Sequence, residues 1–240
     1  MNNRNSNSSF GIIPSLVLFG LASLILFAET NYLIPYLSKI SGTETIIWWF
    51  IVAAFGMFIP LLFIASCFLR KEGWLFKPGM WKERLRFGRM NTGDWIWGIG
   101  GLLAIGAISY LIMILLEKFT GPVNHQPPFM SFETLNPGRY WILAIWLPYW
   151  IFNIMGEEIL WRGVILPRQE VSFGKYAWII QGLGWGLFHI AFGWQLLVTL
   201  LPILFILPFI VQKRKNSWIG VFIHAGLNGP SFIAISVGVL

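Results

Sequence analysis

The sequence contains few charged residues and a single cysteine, and both features limit what the protein can be. Only 11% of its 240 residues are Asp, Glu, Lys or Arg, whereas soluble domains carry about 25%. Cys67 has no second cysteine to pair with, which excludes an internal disulfide, a cysteine-pair metal site and a dithiol redox centre. The composition therefore argues against a soluble or disulfide-bonded domain.

The sequence consists largely of long apolar runs. Hydrophobic residues make up 56% of the chain, the mean hydropathy is +0.68, and a bilayer-spanning helix needs about 20 apolar residues. The runs predict an all-α integral membrane protein, a bundle of about seven transmembrane helices, with eight as the alternative. The predicted spans are 11–28, 46–69, 95–116, 140–161, 176–192, 195–212 and 217–237.

The basic residues indicate the orientation of these spans. If the N-terminus is cytoplasmic, fourteen of the 17 Lys and Arg residues lie on the cytoplasmic side. Only Lys39, Lys118 and Arg139 lie outside, which is a strong positive-inside bias. The net charge of +7 therefore reports topology and contact with the lipid bilayer, and no nucleic-acid partner is expected. We predict a multi-pass plasma-membrane protein with its C-terminus outside.

Two adjacent carboxylates interrupt the fourth span. Glu157 and Glu158 follow an uncharged run that ends at Met155 and Gly156, although a carboxylate in hydrocarbon costs from about 2.5 to more than 10 kcal/mol. Glu158 and Arg162 are four residues apart, so we predict an ion pair on one helix face. The side chain of Glu157 points about 100° away from that helix face and is expected to have no local partner. Glu157 is then the carboxylate available for chemistry.

Two histidines and an asparagine are predicted at overlapping depths in the cytoplasmic half of the membrane. His189 lies in the fifth span, and His224 and Asn228 lie one turn apart in the seventh. A carboxylate, two imidazoles and an amide are the groups that peptide hydrolysis needs. Glu157 would accept a proton from a water that His189 helps to hold, while His224 and Asn228 would donate hydrogen bonds to the oxyanion.

The same residues fit other interpretations. Glu157, His189 and His224 would make a two-His, one-Glu zinc site, although the H-E-x-x-H motif is missing. Intramembrane histidines and Glu–Arg pairs also hold helices together without any chemistry. A proton or ion pathway uses Glu and His as well, but the sequence has no convincing internal repeat of the kind found in transporters.

The first polar motif resembles that of the CPBP family of membrane proteins. This family groups type II CAAX prenyl endopeptidases with bacteriocin-processing and immunity proteins. Its Glu-Glu-x-x-x-Arg motif corresponds to Glu157-Glu158-Ile-Leu-Trp-Arg162.

The second and third motifs of the family follow in the same order. Phe-x-x-x-His corresponds to Trp185-Gly-Leu-Phe-His189, with Trp185 in place of the usual Phe, and His-x-x-x-Asn corresponds to His224-Ala-Gly-Leu-Asn228. The resemblance covers residues 157–228, whereas the first 140 residues match only in being apolar spans.

The resemblance implies an all-helical intramembrane endopeptidase with an active site open to the cytoplasm. It implies a glutamate-activated water without an essential metal, with zinc as the alternative, and a peptide or membrane-protein substrate. The implied catalytic residues are Glu157, His189, His224 and Asn228, and those shaping the site are Glu158, Arg162 and Trp185. The change to Trp185 is expected to alter packing under His189 more than chemistry.

The chain is accordingly divided into a short tail and one domain. Residues 1–10 are predicted to be a disordered cytoplasmic tail, and 11–240 a single transmembrane domain whose catalytic core of CPBP type spans 140–237. The runner-up function is a non-proteolytic bacteriocin-immunity or regulatory scaffold of the same fold. An ion- or proton-coupled transporter ranks third.

Overall fold

The computed structural model describes residues 9–124, 126–130 and 132–239, and within these ranges it contains helices and connecting segments but no strand. The first eight residues of the predicted 1–10 tail lie outside the described residues. Phe10, the last residue of that range, lies against the bundle. Its side chain is buried, its ring packs edge-on against Phe68, and its backbone N–H donates to the carbonyl of Arg168 at 3.3 Å.

Seven long helices follow one another in the described part of the chain, and each coincides with one predicted span. Their bounds are α1 Ile12–Ser41, α2 Thr45–Lys71, α3 Thr92–Thr120, α4 at residues 142–173, α5 Ala177–Phe188, α6 Trp194–Arg214 and α7 Ser217–Ser236. Five of them (α1, α2, α3, α6 and α7) are long and apolar enough to cross a membrane. The prediction of an all-α, multi-pass integral membrane protein is confirmed.

Helix α1 extends well past the predicted end of its span at residue 28. A π-helical turn, Glu29–Leu33, joins Ile12–Ala28 to a second α-helical part, Ile34–Ser41. The helix ends at Gly42, whose φ of 67° suits glycine because it lacks a Cβ. Glu29 therefore lies within a membrane helix and is buried, not in a loop.

Helix α4, which carries the paired glutamates, changes its winding where they occur. Ile142–Glu157 is α-helical, Glu158–Ile165 is π-helical and Leu166–Phe173 is α-helical again. Pro167 has no N–H to offer the carbonyl of Gly163, four residues earlier. That carbonyl accepts a hydrogen bond from Arg84 at 2.9 Å instead. An outside donor thus lets the helix continue past the predicted end at residue 161.

One end of the bundle carries most of the basic residues. We call it the basic face; it comprises residues 70–91, 166–176 and 213–216. Glu72 pairs there with Arg84 at 2.5 Å and with Arg168 at 2.7 Å. Burial alone would raise the pKa of Glu72, but hydrogen bonds and charges from the two arginines outweigh burial and hold that pKa below its usual value.

A second ion-pair group on the basic face connects three segments of the chain. Glu170 on α4 accepts hydrogen bonds from Arg86 at 2.7 Å and from Lys215 at 2.5 Å. These contacts tie the end of α4 to the 72–91 segment and to the turn between α6 and α7. Ion pairs therefore connect separate segments of the chain at the basic face.

The opposite end, which we call the loop face, comprises residues 42–44, 121–139 and 189–193. The C-terminal part of its long loop is attached to the neighbouring elements. The N–H of Leu135 donates to the carbonyl of Ser236 on α7 at 2.7 Å, and Arg139 forms an ion pair with Glu44. The loop thereby covers the ends of α2, α4 and α7.

Close helix packing places α4 in the middle of the bundle. Helix α2 contacts α4, while α6 contacts α3, α5 and α7. At Gly156 the backbones of α4 and α2 nearly touch, since a Cβ there would lie 2.7 Å from the carbonyl oxygen of Phe58. This approach fixes the position of the glutamate that follows in sequence.

Candidate active site

Glu157 is the last residue of the first α-helical part of α4, and its side chain is 1% exposed. The amide of Asn153 donates to Oε1 at 3.0 Å, and the indole N–H of Trp185 donates to Oε2 at 2.5 Å. The expectation that Glu157 has no local partner is therefore wrong. Asn153 lies four residues earlier, so the i, i+4 spacing that identified the next pair could have revealed this one.

Glu158 lies at the centre of a fully buried group of charges. Its Oε1 is 3.3 Å from a terminal nitrogen of Arg162, and both side chains have an exposure of 0%. The predicted Glu158–Arg162 ion pair is thus confirmed. Glu158 has a further partner that the sequence did not predict, since the same oxygen lies 2.9 Å from Nδ1 of His224 on α7. One carboxylate thereby joins α4 to α7.

Trp185 on α5 links the two glutamate groups. Its indole N–H binds Glu157, and its ring face carries the guanidinium of Arg162, 3.6 Å from the ring centroid. The imidazoles of His189 and His224 both pack edge-on against the same ring, each with centroids 5.3 Å apart. A phenylalanine at this position has no N–H to donate. The expectation that Trp185 changes packing more than chemistry therefore needs correction.

His189 occupies the first position of a 3-10 turn, His189–Phe192, that follows α5. Its Nδ1 lies 2.8 Å from the carbonyl oxygen of Trp185. A carbonyl only accepts, so Nδ1 carries the proton in this contact and the neutral ring has its lone pair on Nε2. The local turn thus fixes both the tautomer and the direction of the imidazole.

A cavity of about 470 Å³ adjoins these side chains. Trp185, His189, His224 and Asn228 contribute to its wall, which is otherwise mainly aromatic and aliphatic. Three of the four implied catalytic residues therefore meet at one cavity. Glu157 is not among the lining residues; it lies behind the wall and contacts Trp185, which does line the cavity.

The cavity extends toward the loop face. Its wall includes Val123, Gln126 and Met130 of the 121–139 loop and Ile235 near the end of α7. The resemblance implied an opening toward the cytoplasm, which the charge distribution assigns to the basic face. The structure differs from that expectation, because the wall of the cavity includes loop-face residues and none of the ion-paired residues of the basic face.

The side chains do not present an arrangement suited to a metal ion. Among the residues that the structure describes, no group of three His, Cys, Asp or Glu side chains converges closely enough to hold one. The donors have other partners: Glu157 accepts from Asn153 and Trp185, and Nδ1 of His224 faces Glu158. The residues as placed do not fit the alternative zinc site of Glu157, His189 and His224.

Comparison with known proteins identifies the segment that builds this site. A family model described as type II CAAX prenyl endopeptidase Rce1-like matches residues 139–229. Residues 139–229 are therefore similar to the type II CAAX prenyl endopeptidases that this model describes. This CAAX-type segment includes α4, α5, α6 and most of α7, and it contains all three polar motifs. No curated protein and no solved structure matches the chain.

Proposed function

We propose that the protein is an intramembrane endopeptidase in which Glu157 activates a water molecule. The observation that carries the proposal is that α4, α5 and α7 bring their polar residues around a single indole ring, that of Trp185, beside an apolar cavity. The match of residues 139–229 to a peptidase family supports the same reaction class.

Glu157 would act as the proton carrier. Its two hydrogen-bond donors, Asn153 and Trp185, come from two different helices and orient the carboxylate. A carboxylate shielded from bulk water and oriented in this way suits proton transfer in the transition state, which contributes about 10²–10⁴-fold in rate. Because Glu157 is buried behind Trp185, the reacting water must pass the indole edge to reach the carboxylate.

His189 would hold that water. Its Nδ1 proton is directed at the carbonyl of Trp185. Nε2, which carries the lone pair, is therefore the ring atom left to accept a hydrogen bond. His189 also lines the cavity, where a scissile peptide bond would lie.

His224 and Asn228 would stabilise the oxyanion. Nδ1 of His224 lies 2.9 Å from Oε1 of Glu158, and a proton on Nε2 would let the ring donate to the cavity side. Asn228, one turn further along α7, also lines the cavity and would supply an amide N–H.

The reaction balances with these groups alone. Water attacks the carbonyl carbon of the peptide while Glu157 takes its proton, and the carbonyl oxygen becomes an oxyanion bound by His224 and Asn228. Glu157 then returns the proton to the amide nitrogen, the C–N bond breaks, and a carboxylate and an amine are released. Since no step requires a metal, incubation with a strong chelator is expected to leave the cleavage rate unchanged.

Comparison of newly formed protein termini tests the proposal even when the substrate has not been identified. Wild-type protein, Glu157→Gln and Glu133→Gln are expressed at equal levels in one host, and membrane-protein N-termini are quantified by mass spectrometry. Glu133 has a side chain exposure of 95% and provides a control for the chemical change itself.

The proposal expects termini that appear with wild type and Glu133→Gln and disappear with Glu157→Gln. If all three proteins give the same termini as the empty host, the protease function is contradicted, and the immunity or regulatory scaffold takes its place. Retained folding of Glu157→Gln is checked by its thermal stability in detergent.

A further inference from the structure

The cavity beside the candidate active site has a side wall formed by α3 and α7, and these helices are in tight contact only toward the basic face. A Cβ at Gly98 would lie 3.2 Å from the ring of Phe222, and one at Gly101 would lie 3.0 Å from Ile223. Glycines on α3 thus let α7 approach closely over this half of the bundle.

Toward the loop face, residues of α3 and α7 that line the cavity are exposed. Tyr110 on α3 is 61% exposed, Asn228 and Ser231 on α7 are exposed, and all three line the cavity. Ser109 donates to the carbonyl of Thr199 at 2.9 Å, so α3 stays attached to α6 while α7 is held by the loop. A residue that is exposed and also lines the cavity marks an opening. The cavity therefore opens sideways between α3 and α7.

The position of this opening in the bilayer follows from the charges. The basic face carries most of the lysines and arginines, and the loop face side of the chain carries only Lys39, Lys118 and Arg139. The positive-inside rule places the basic face in the cytoplasm. The sideways opening then lies in the extracytoplasmic half of the bilayer.

The size of the cavity limits what can enter. One turn of an α-helix, with a diameter of about 10 Å and a pitch of 5.4 Å, occupies about 420 Å³. The cavity of about 470 Å³ is thus comparable in volume to about one helical turn. A membrane-spanning helix is much longer, so only a short segment can enter, and its backbone groups need partners where it leaves the helix. Ser109, Gln126 and Ser231 are polar groups in the wall that can supply them.

We propose that the opening between α3 and α7 admits a short unwound apolar segment of a membrane-embedded substrate, from the extracytoplasmic half of the bilayer. This inference rests on the proposed peptidase function for the identity of the occupant. The direction and position of the opening do not depend on catalysis.

Thiol labelling measures from which side of the membrane the cavity is accessible. Cys67 is replaced by Ala, and single cysteines are introduced at Ser109 and Ser231 in the full-length protein. Intact cells and inside-out vesicles are treated with a charged, membrane-impermeant maleimide. Lys82→Cys on the basic face and Glu133→Cys in the loop, both exposed, calibrate the two sides.

Leu103→Cys provides the matched lipid-facing control, because Leu103 is on α3, is 67% exposed and does not line the cavity. The inference expects Ser109→Cys and Ser231→Cys to be labelled in intact cells together with Glu133→Cys, and at least tenfold faster than Leu103→Cys. Labelling of the cavity cysteines from the Lys82→Cys side would overturn it, and so would no labelling from either side.

A second variant tests the sideways route. Ser231→Trp places a large ring in the opening, at a residue to which no catalytic role is assigned. The inference expects the Glu157-dependent termini to fall at least tenfold while thermal stability is retained. Unchanged termini in Ser231→Trp would overturn the sideways route but not the peptidase function. An absence of such termini in the wild type would contradict the peptidase function without affecting the labelling result.

Discussion

At the residue scale, Trp185 contacts every charged or titratable group of the candidate site except Glu158. Its N–H binds Glu157, its face stacks on Arg162, and its edges meet His189 and His224. A single side chain thus fixes the relative positions of the proton carrier and the two imidazoles. The motif that this segment resembles has phenylalanine here, and the indole of Trp185 adds a hydrogen bond to Glu157 that a phenylalanine cannot make.

Trp185→Phe is expected to lower the cleavage rate about tenfold or more while the protein stays folded. Phenylalanine keeps an aromatic ring next to Arg162, but the hydrogen bond to Glu157 is lost. A hydrogen bond to a charged group contributes about 1.5–3 kcal/mol. The rate constant should fall more than KM rises, because Trp185 acts on Glu157. Trp178→Phe on the same helix is the control, and an equal fall in both variants would contradict a specific role for Trp185.

The contacts of these residues were partly predictable. The Glu158–Arg162 pair follows from spacing within one helix, and Asn153–Glu157 has the same spacing, so it was predictable on the same grounds. Contacts between helices, such as Trp185 with Glu157 and His224 with Glu158, depend on how α4, α5 and α7 rotate against one another. Spacing along the chain does not determine that rotation.

At the element scale, α4 is held close to α2 at the residue before the candidate proton carrier. Gly156 leaves no room for a Cβ against the carbonyl of Phe58, and the helix becomes π-helical two residues later, at Glu158. The sequence predicted a span ending near residue 161. It did not predict the continuation past Pro167, because the donor that replaces the missing N–H is Arg84, from a distant loop.

Gly156→Ala is expected to reduce both stability and cleavage. The added methyl forces α4 away from α2, and overpacking of this kind costs about 1–3 kcal/mol. Gly100→Ala is the matched control, since a Cβ at Gly100 on α3 meets nothing within 4 Å. Thermal unfolding in detergent and the yield of Glu157-dependent termini measure the two effects. Equal behaviour of both variants would contradict the close approach.

At the scale of the whole molecule, the bundle carries ion pairs at the basic face and has its cavity toward the loop face. Seven helices and a polar site within them were predictable, because long apolar runs and isolated charges are both visible in sequence. The direction of the cavity was not predictable, because it depends on where α3 and α7 separate. The burial of Glu29 was not predicted either, since its span was expected to end one residue earlier.

The ion pairs of the basic face predict a pH dependence of stability. The folded-state pKa of Glu72 lies below its usual value of 4.5, so its pairs with Arg84 and Arg168 stabilise the fold above about that pH. This contribution is lost as the pH falls through the folded-state pKa. Glu72→Gln should therefore lower the melting temperature at pH 7, and its difference from wild type should shrink below pH 4.5.

Glu83→Gln serves as the control for this comparison, because Glu83 lies in the same segment and is exposed. Its melting temperature should follow that of the wild type at every pH. A difference between Glu72→Gln and wild type that stays constant from pH 7 to pH 3.5 would show that the charge of Glu72 does not stabilise the basic face.

The central claim is that Glu157 activates water for peptide hydrolysis inside the membrane. It is tested most directly by the cleavage rate of purified protein in lipid nanodiscs, with wild type, Glu157→Gln and Glu133→Gln acting on a peptide bond identified from the cellular termini. We predict that Glu157→Gln is at least 100-fold slower, that Glu133→Gln equals wild type, and that a chelator changes neither rate. Cleavage by Glu157→Gln at the wild-type rate would contradict the claim.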